Sequence, residues 1–536
     1  MNRQGRILIM DDEERWRKLL ASTLEDGGFL VDVAETVQGA LLCLDESFYH
    51  VLILDIRMYD PDTNNVEGME LLRTLDERGM SSGTKIIMLS AYGTTKQMRA
   101  AFTKYGVVDF LDKNEFDNLQ FLEQMRQTFK EQVGINLGLA VHWQQVSGPD
   151  QVVTNLVLEK ERVKRDTPLQ TRVAAELDDL LCRLFHQAES VMVRPLAPGA
   201  GGTSVLWVQP FYASGGGQSV VIKFGGFRKI DREYSNFKAY VQPFIGGGRS
   251  TTVLDLRRTP LLGGILYSLL GTAGDRVLDF GTFYRHADLA EVKSVLTRLF
   301  RDTCGSWYAN SGKLQPCDLT ADYKELLGFS VESLKEALND RLKSVQGKTM
   351  LQFRSLPPDR RFTNPIPLVL DKRLVRSTYI CTTHGDFNEN NILVDGAGHT
   401  WLIDFYRTGP GHIFRDVAEL DSVVRMQLLS PEDASLEERL QMEETLLACE
   451  RFSQVDGLAA EFPTKNRALA KTYATVVHLR SLARTLVDQN PADDISEYYV
   501  ALLYYALNML RFYWLSPVQR EHALLSASLL ADRLGL

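Results

Sequence analysis

Short apolar runs alternate with amphipathic stretches over residues 6–130. The runs are strand-like, while the stretches between them repeat apolar residues at helical spacing. The runs read RILIM, FLVDVA, VLILDI, KIIMLSA and VDFLD. Runs such as VLIL are continuously apolar, as expected for strands buried on both faces of a parallel sheet. The alternation therefore predicts an α/β domain with a doubly wound parallel sheet over residues 1–130.

The pattern changes after residue 130. Residues 131–190 join a strand-like run, INLGLAVHWQQV, to charged helical stretches, and we interpret them as a linker. Strands separated by glycine-rich turns follow from Val191, and the chain is mostly helical after about Asp288. We predict a two-lobed α+β domain with a cleft, consisting of a strand-rich lobe over residues 191–285 and a large helical lobe over residues 286–536.

Composition narrows the functional classes. The net charge of −9 gives no general attraction for nucleic acid or an anionic membrane, so neither is expected as a partner. The same charge disfavours a transcriptional regulator with a DNA-binding output. The six cysteines lack metal-ligand spacing and indicate reduced thiols. The N-terminus has no signal-peptide pattern, and the longest apolar run, Leu261–Leu270, is too short to span a bilayer. We expect a cytoplasmic protein.

Side chains with carboxylate, hydroxyl and ammonium groups lie at or just after the ends of the predicted strands of residues 1–130. Asp11 and Asp12 follow the first strand, and Asp55 ends the third. The carboxyl ends of neighbouring parallel strands share one crevice, so these carboxylates should meet and provide oxygen ligands for Mg²⁺. Ser90 ends the fourth strand and Lys113 follows the fifth. A metal, a hydroxyl and an ammonium around Asp55 can stabilise a phosphoryl group there.

Residues 6–130 resemble the response-regulator receiver family. The resemblance is carried by the Asp11–Asp12 pair, Asp55, the SAYG run that begins at Ser90 and the DFLDK run that ends at Lys113. It implies a flavodoxin-like fold, Mg²⁺ held by the three carboxylates, and phosphorylation of Asp55 by a cognate sensor histidine kinase. Ser90, Phe110 and Lys113 would form the switch, with Phe110 as its rotating aromatic residue, and the receiver face could support a homodimer.

Two positions depart from the receiver pattern. Asn114 stands where the family usually has a proline after the lysine. The loop IRMYDPDTNNVEG, which follows Asp55, is about five residues longer than usual. Both departures border the phosphorylation site, so phosphate lifetime or partner choice is expected to differ.

The motif His384-Gly385-Asp386, with Asn391 and Asp404 downstream, carries a second chemistry. Phosphoryl transfer needs a carboxylate to orient the acceptor hydroxyl and oxygen ligands for the Mg²⁺ on the ATP phosphates. Asp386 can supply the first, and Asn391 and Asp404 can supply the second. The short strands NILVD and TWLID, joined by a glycine-rich turn, should bring Asn391 and Asp404 together.

This region, roughly residues 190–430, resembles the aminoglycoside phosphotransferase and choline kinase group of kinase-like proteins. The resemblance rests on HGDxxxxN and the IDF run that contains Asp404. It implies ATP and Mg²⁺ as cofactors, Asp386 as the catalytic aspartate and a hydroxyl-bearing substrate, either a small molecule or a protein. His384 would support the loop structurally. Asp416 matches the position of an aspartate that braces the site, although a helix N-terminal role explains it equally well.

The expected nucleotide-binding residues of the strand-rich lobe fit the kinase pattern less closely. Lys223 in SVVIKFG matches the strand lysine that contacts ATP phosphates. Glu233 is the candidate partner of Lys223, although it is also explained as a residue on a solvated helix face. The three glycines of a candidate phosphate-covering loop precede Lys223 in the sequence: Gly199, Gly201 and Gly202. The loop is not a full GxGxxG motif.

These residues are compatible with two functions of the protein. The first is an ATP-dependent kinase controlled by phosphorylation of Asp55, which the intact Asp386, Asn391, Asp404 and Lys223 favour. The alternative is a nucleotide-binding pseudokinase that acts as a switchable scaffold in a signalling or defence assembly. The short spacing from Lys223 to Glu233 and the incomplete glycine motif favour this scaffold.

Overall fold

The computed structural model divides the chain into two compact units. One comprises Met1–Tyr234 and Thr252–Leu269, and the other comprises Ser235–Thr251 and Leu270–Leu536. The structure describes residues 3–55, 67–79, 83–90, 102–103, 105–159, 161–198, 202–244, 252–268, 277–329, 348–460, 462–490 and 492–536.

The first unit begins with a parallel sheet covered by helices on its faces. Its strands are β1 (Arg6–Met10), β2 (Leu30–Ala34), β3 (Val51–Asp55), β4 (Lys85–Ser90) and β5 (Val107–Asp112). Its helices are α1 (Glu14–Asp26), α2 (Val37–Glu46), α3 (Glu67–Glu77) and α4 (Asn118–Gln127). The strand order is β2-β1-β3-β4-β5, and every neighbouring pair is parallel. The flavodoxin-like prediction for residues 1–130 is therefore confirmed.

A second, mainly antiparallel sheet follows within the same unit. Its strands are β6 (Ala140–Trp143), β9 (Ser190–Pro198), β10 (Ser204–Tyr212), β11 (Gly215–Gly216), β12 (Val220–Gly226), β13 (Val253–Arg258) and β14 (Leu262–Ser268). They are arranged β13-β14-β12-β10-β9-β6, with β11 paired to β10. A small hairpin, β7 (Val157–Leu158) and β8 (Glu161–Arg162), and the helices α5 (Pro149–Val153), α6 (Pro168–Leu184) and α7 (Phe227–Asn236) complete this part.

Residues 131–190 do more than connect two domains. Strand β6 pairs in parallel with β9 and so forms one edge of the second sheet. Helix α6 buries Val173, Leu177 and Leu180 in the core beneath that sheet. The predicted boundary at residue 190 therefore differs from the structure, because the apolar side of α6 finds its packing partner only in strands that come later in the chain.

The second unit is mostly helical, with short strand pairs among the helices. Its helices are α8 (Phe280–His286), α9 (Leu289–Arg298), α10 (Gly305–Ala309), α11 (Leu319–Leu327), α12 (Pro365–Asp371), α13 (Arg415–Val423), α14 (Leu436–Leu446), α15 (Arg467–Leu486), α16 (Ser496–Met509) and α17 (Pro517–Arg533). Its strands are β15 (Leu278–Asp279), β16 (Gln315–Asp318), β17 (Met350–Leu351), β18 (Phe362–Thr363), β19 (Val375–Thr378), β20 (Ile380–Thr383), β21 (Ile392–Val394), β22 (Thr400–Leu402) and β23 (Gly409–His412).

The two short strands predicted within NILVD and TWLID are present in this unit as β21 and β22. Strands β21 and β22 form a hairpin, to which β15 adds, while β20 pairs with β23. The helices that follow β23 pack around one another with largely buried side chains. Within the described parts of the chain, no helix combines the length and the apolar character needed to cross a membrane.

Candidate functional site

Three carboxylates meet at the carboxyl edge of the parallel sheet. Asp11 and Asp12 follow β1 and Asp55 ends β3, which is the neighbouring strand. Oxygen atoms of the three side chains lie within 4.8 Å of one another. This donor set suits a hard divalent cation such as Mg²⁺, which takes one or two carboxylates and keeps several waters. The predicted convergence of the three residues is therefore present in the structure.

Lys113 links two of these carboxylates. Its Nζ atom lies 2.7 Å from Asp11 Oδ2 and 2.7 Å from Asp55 Oδ2, and 3.2 Å from Glu13 Oε1 at the rim. Burial by itself would lower the pKa of the Lys113 ammonium, but its hydrogen bonds to Asp11 and Asp55 outweigh that effect and raise the pKa. A fixed positive charge therefore lies beside Asp55, where a phosphoryl group would bring negative charge.

The remaining receiver residues are placed only in part. Ser90 ends β4 and pairs with Asp112 in the sheet, but its side chain lies outside the described residues. Phe110 on β5 is half-buried and packs against the core formed by β1, β3 and β4. The long loop after Asp55 and the end of the SAYG run also lie outside the described residues. Asn114 lies in a single helical turn that begins at Lys113.

Lys223 and Glu233 form a buried ion pair in the first unit. Lys223 Nζ on β12 lies 2.8 Å from Glu233 Oε2 on α7, and the residues are 5% and 0% exposed. The Tyr267 hydroxyl on β14 donates to Glu233 Oε1 at 2.8 Å. The pairing predicted from sequence is therefore present, and Glu233 does not occupy a solvated helix face. Ten residues suffice because α7 begins directly after β12.

The glycine loop before Lys223 is described only at Gly202. Gly202 has a φ of +77°, and a Cβ atom there would lie 2.6 Å from the Val157 side chain. Its carbonyl accepts the Val157 N–H at 3.0 Å. Close packing on Val157 thus explains the glycine without a phosphate. Gly199 and Gly201 lie outside the described residues.

In the second unit, Asp416 holds the backbone of the HGD loop. Asp416 lies in the first turn of α13, and its carboxylate accepts the N–H groups of His384 at 2.9 Å and Gly385 at 3.0 Å. The Tyr308 hydroxyl donates to the same carboxylate at 3.0 Å. Asp416 is fully buried, and burial raises the pKa of its carboxyl group. Of the two roles open from sequence, the bracing role fits these contacts.

Glu419 is a second buried support that the sequence analysis missed. It lies one turn after Asp416 on α13, and its Oε2 atom accepts the Phe387 N–H at 2.7 Å. Burial, with a further contribution from the charge of Asp386, raises the pKa of the Glu419 carboxyl group well above its ordinary value. The i,i+3 spacing within RDVAEL placed both carboxylates on one helix face and was the available signal.

Asn391 contacts the expected catalytic aspartate directly. Its Nδ2 atom donates to the Asp386 backbone carbonyl at 2.9 Å and lies 3.3 Å from Asp386 Oδ2. The Ile403 N–H donates to the Asn391 carbonyl at 3.1 Å, so the β21–β22 hairpin places Asp404 one residue beyond the residue paired with Asn391. Oxygen atoms of Asn391 and Asp404 are suitable ligands for Mg²⁺.

Asp404 has a left-handed backbone, with a φ of +69°. This conformation is uncommon for residues other than glycine and costs on the order of 1–3 kcal/mol, and such residues cluster at functional sites. His384, in contrast, contacts the Ile403 carbonyl through Nε2 at 3.0 Å and packs edge-on against Phe387 and Phe405. These contacts agree with its expected structural role.

Gly385 cannot accept a side chain without moving the loop. Its φ is +76°, and a Cβ atom there would lie 2.7 Å from the Arg407 carbonyl oxygen. We expect Gly385→Ala to lower the free energy of unfolding by roughly 1–3 kcal/mol, measured by denaturant titration. Gly396→Ala is the matched control, because no atom lies within 4 Å of its Cβ position. Equal stabilities for the two variants would contradict the close approach.

The other side of α13 is fixed by buried charges. Arg425, which follows the helix, contacts Asp421 through Nε at 2.5 Å and Glu443 through Nη1 at 2.6 Å. Arg480 Nε also contacts Asp421, at 3.1 Å. All four side chains are almost completely buried. These ion pairs join α13 to α14 and α15, and α13 in turn carries the carboxylates that hold the HGD loop.

Removing Arg425 would take from Asp421 and Glu443 the guanidinium that they share and leave them only Arg480 and His522 as charged or imidazole partners, respectively. We expect Arg425→Met to destabilise the protein by about 3–5 kcal/mol, the usual cost of breaking a buried ion pair from one side. Arg484→Met removes an exposed pair with Asp456 and should cost about 0–1 kcal/mol. Denaturant unfolding of both variants measures the difference. Similar losses in the two would show that the buried network adds little.

Comparisons with known proteins match the two parts of the chain separately. The model described as Response regulator receiver domain matches residues 7–126. A putative NtrX-like response regulator of Rickettsia felis is 33% identical over 107 residues, which are 20% of this chain and 21% of that protein. An uncharacterised 14.6 kDa protein of Leptolyngbya boryana is 31% identical over 121 residues, which are 23% of this chain and 87% of that protein.

Solved structures also match the receiver. The CheY-like receiver domain of Methanospirillum hungatei is 26% identical, covers 24% of this chain and 97% of its own, and has a TM-score of 0.22. The receiver of NtrX from Brucella abortus is 23% identical, covers 23% of this chain and 98% of its own, and has a TM-score of 0.21.

The rest of the chain matches a different family model. The model described as Ternary complex associated domain 9 matches residues 188–355 and 339–511, which is more than half of the chain. The resemblance of this region to small-molecule kinases stays a prediction from its motifs. Residues 7–126 are a response-regulator receiver domain, and the chain belongs to the Ternary complex associated domain 9 family.

Proposed function

We propose that this protein is a response regulator in which phosphorylation of Asp55 controls an ATP- and Mg²⁺-dependent phosphotransferase. The observation that carries the proposal is the HGD loop, where Asn391 contacts Asp386 and Asp416 holds the loop backbone. A loop fixed at several backbone groups keeps the Asp386 carboxylate in place, and phosphoryl transfer depends mainly on positioning and electrostatics.

In the receiver, Asp55 is the proposed phosphoacceptor. An Asp55 carboxylate oxygen would attack the phosphorus of a phosphohistidine in a sensor kinase, breaking the P–N bond and releasing the histidine, or that of acetyl phosphate, breaking the P–O bond and releasing acetate. Asp11, Asp12 and Asp55 would hold Mg²⁺, which neutralises phosphate charge during this attack. The Lys113 ammonium, already 2.7 Å from Asp55, would then pair with a phosphoryl oxygen.

In the output region, the proposed kinase roles fall on Asp386, Asn391, Asp404 and Lys223. Asp386 would accept the proton of the acceptor hydroxyl as the oxygen attacks the γ-phosphorus of ATP. Asn391 and Asp404 would be ligands of Mg²⁺, and Lys223 would contact the ATP phosphates. Glu233 orients the buried Lys223 through their 2.8 Å contact.

A scaffold without catalysis is the second candidate. One specific observation favours it: packing on Val157 accounts for Gly202, so the described part of the glycine loop requires no phosphate. The family description, Ternary complex associated domain, also fits a protein that works within an assembly. In this case phosphorylation of Asp55 would alter assembly rather than turnover.

One experiment separates the two candidates. Purified protein is incubated with ATP and Mg²⁺, with and without acetyl phosphate, while ADP production and ATP binding are measured. The kinase proposal expects ADP production that depends on Mg²⁺ and changes with acetyl phosphate. Binding of ATP without ADP production, together with a change in oligomeric state, would replace the kinase by the scaffold.

A further inference from the structure

The receiver contacts the output region through the amino ends of its strands. His50 directly precedes β3, and its Nε2 atom lies 2.6 Å from Asp179 Oδ1 on α6. Arg183, one turn further along α6, donates through Nη1 to the Gly83 carbonyl before β4 at 3.2 Å. Arg3, before β1, forms a bidentate pair with Asp178. The Asp55 site lies at the opposite edge of the same sheet.

The contact between His50 and Asp179 is buried and supported by further hydrogen bonds. His50, Asp179 and Arg183 are between 2% and 5% exposed. The Arg6 N–H donates to His50 Nδ1 at 2.9 Å, so the imidazole proton lies on Nε2 and is donated to Asp179. Arg183 Nε donates to the second oxygen of the same carboxylate at 2.7 Å. Both carboxylate oxygens are thus satisfied, which fixes α6 to the start of β3.

Helix α6 also holds the hairpin formed by β13 and β14. Glu176 Oε2 accepts the Thr259 hydroxyl at 2.7 Å and the Leu261 N–H at 2.8 Å in the turn between the two strands. A Cβ atom at Gly264 on β14 would lie 2.9 Å from the Leu180 side chain, so the helix packs directly on this strand. Movement of α6 therefore has to move β14 or break these contacts.

Strand β14 in turn positions the Lys223–Glu233 pair. Ile265 on β14 is the register partner of Lys223 on β12. Tyr267 on β14 donates its hydroxyl to Glu233 at 2.8 Å. Contacts therefore run without a gap from the strand that ends in Asp55, through His50 and α6, to the buried ion pair of the second sheet.

We propose that α6 is the regulatory element that couples phosphorylation of Asp55 to the Lys223–Glu233 pair. The receiver remains docked in both states, and a shift of β3 reaches α6 through His50 and Asp179. The role of Lys223 in this inference rests on the proposed function. The docking of the receiver and the route through α6 rest on the contacts described above. A continuous set of contacts couples two sites only if both sites shift the equilibrium of the same element. Here the two sites are Asp55 and the Lys223–Glu233 pair, and the element is α6.

The test measures hydrogen exchange of the full-length protein with and without beryllofluoride, a phosphate mimic for Asp55. In the wild type we expect the mimic to change exchange in the receiver, in α6 and in β14. Asp179→Asn keeps an oxygen that can accept the His50 proton but removes the charge that pairs with Arg183, so it should reduce the β14 response while the receiver still responds. Glu123→Gln, an exposed change on α4, is the control and should respond as the wild type does.

A second variant covers the case in which Asp179→Asn does not fold. Thr259→Val keeps the side-chain shape and removes the hydroxyl that binds Glu176, while the Leu261 N–H and the Leu180 packing remain, so β14 should respond less to the mimic and α6 should respond as before. A β14 response that is unchanged in a folded Asp179→Asn or in Thr259→Val, or absent from the wild type, would overturn the proposal.

ATP affinity gives an independent measurement. A typical allosteric coupling would make the affinity of the wild type differ by about 5- to 150-fold with and without the mimic, and the ratio should be smaller in Thr259→Val. If ATP does not bind at all, the kinase function fails while the exchange results still decide the route through α6.

Discussion

Asp386→Asn is expected to reduce ATP-dependent phosphotransfer by about 10²–10⁴-fold, the usual contribution of a positioned general base. The amide keeps the size of the side chain, but its single oxygen can accept from only one of Asn388 and Asn391, and it cannot take a proton from the acceptor hydroxyl. ATP affinity should stay close to that of the wild type, because Asp386 is not among the proposed metal ligands. ADP production and calorimetric ATP binding measure the two effects.

Two further variants make this result specific. Asp359→Asn is the same chemical change at an exposed position and should leave turnover unchanged. Asp404→Asn should weaken Mg²⁺–ATP binding instead, since it removes a proposed metal ligand. Equal turnover in Asp386→Asn and the wild type would exclude Asp386 as the base, and equal ATP affinity in Asp404→Asn would exclude its metal role.

Asp55→Asn is expected to abolish phosphorylation of the protein. The other receiver residues remain in this variant, but the carboxylate oxygen that would form the acyl phosphate is gone. Intact-mass measurement after incubation with acetyl phosphate and Mg²⁺ should show one phosphoryl group on the wild type and none on the variant. Omitting Mg²⁺ should suppress labelling of the wild type, because the three carboxylates would then lack the cation that offsets their charge.

The control for this prediction is another aspartate of the receiver. Asp45 lies on α2, where it forms an exposed ion pair with Arg78. Asp45→Asn should be labelled as fully as the wild type. Persistent labelling of Asp55→Asn would move the phosphoacceptor to another residue and would remove the basis for the switch.

Local sequence patterns predicted the parts of the fold whose partners lie nearby in the sequence or follow a known topology. The receiver strands could be predicted because buried parallel strands are continuous apolar runs. Their order in the chain then placed Asp11, Asp55 and Lys113 at one edge of the sheet. The Lys223–Glu233 pair was readable for a similar reason, since only a strand-to-helix turn separates the two residues.

Other features depend on contacts that no local pattern encodes. Residues 131–190 were interpreted as a linker, yet Glu176, Asp179 and Arg183 on α6 are buried because they have partners in distant segments. For Glu419, local spacing indicates only that it shares a helix face with Asp416; its partner, a backbone N–H in the HGD loop, is distant in the sequence. Buried charges of this kind become stable only when tertiary structure supplies the hydrogen bonds, so sequence periodicity assigns them to the surface.

The docking of the receiver limits how freely the two halves of this protein can be recombined. Domains joined by flexible linkers can often be exchanged, because few specific contacts cross their boundary. Here α6 forms hydrogen bonds with particular groups of its own receiver, including the imidazole of His50 and the carbonyl of Gly83. A chimera carrying a foreign receiver would leave Asp179 without its histidine partner. The receiver and α6 are therefore expected to have changed together during evolution, as one inherited piece.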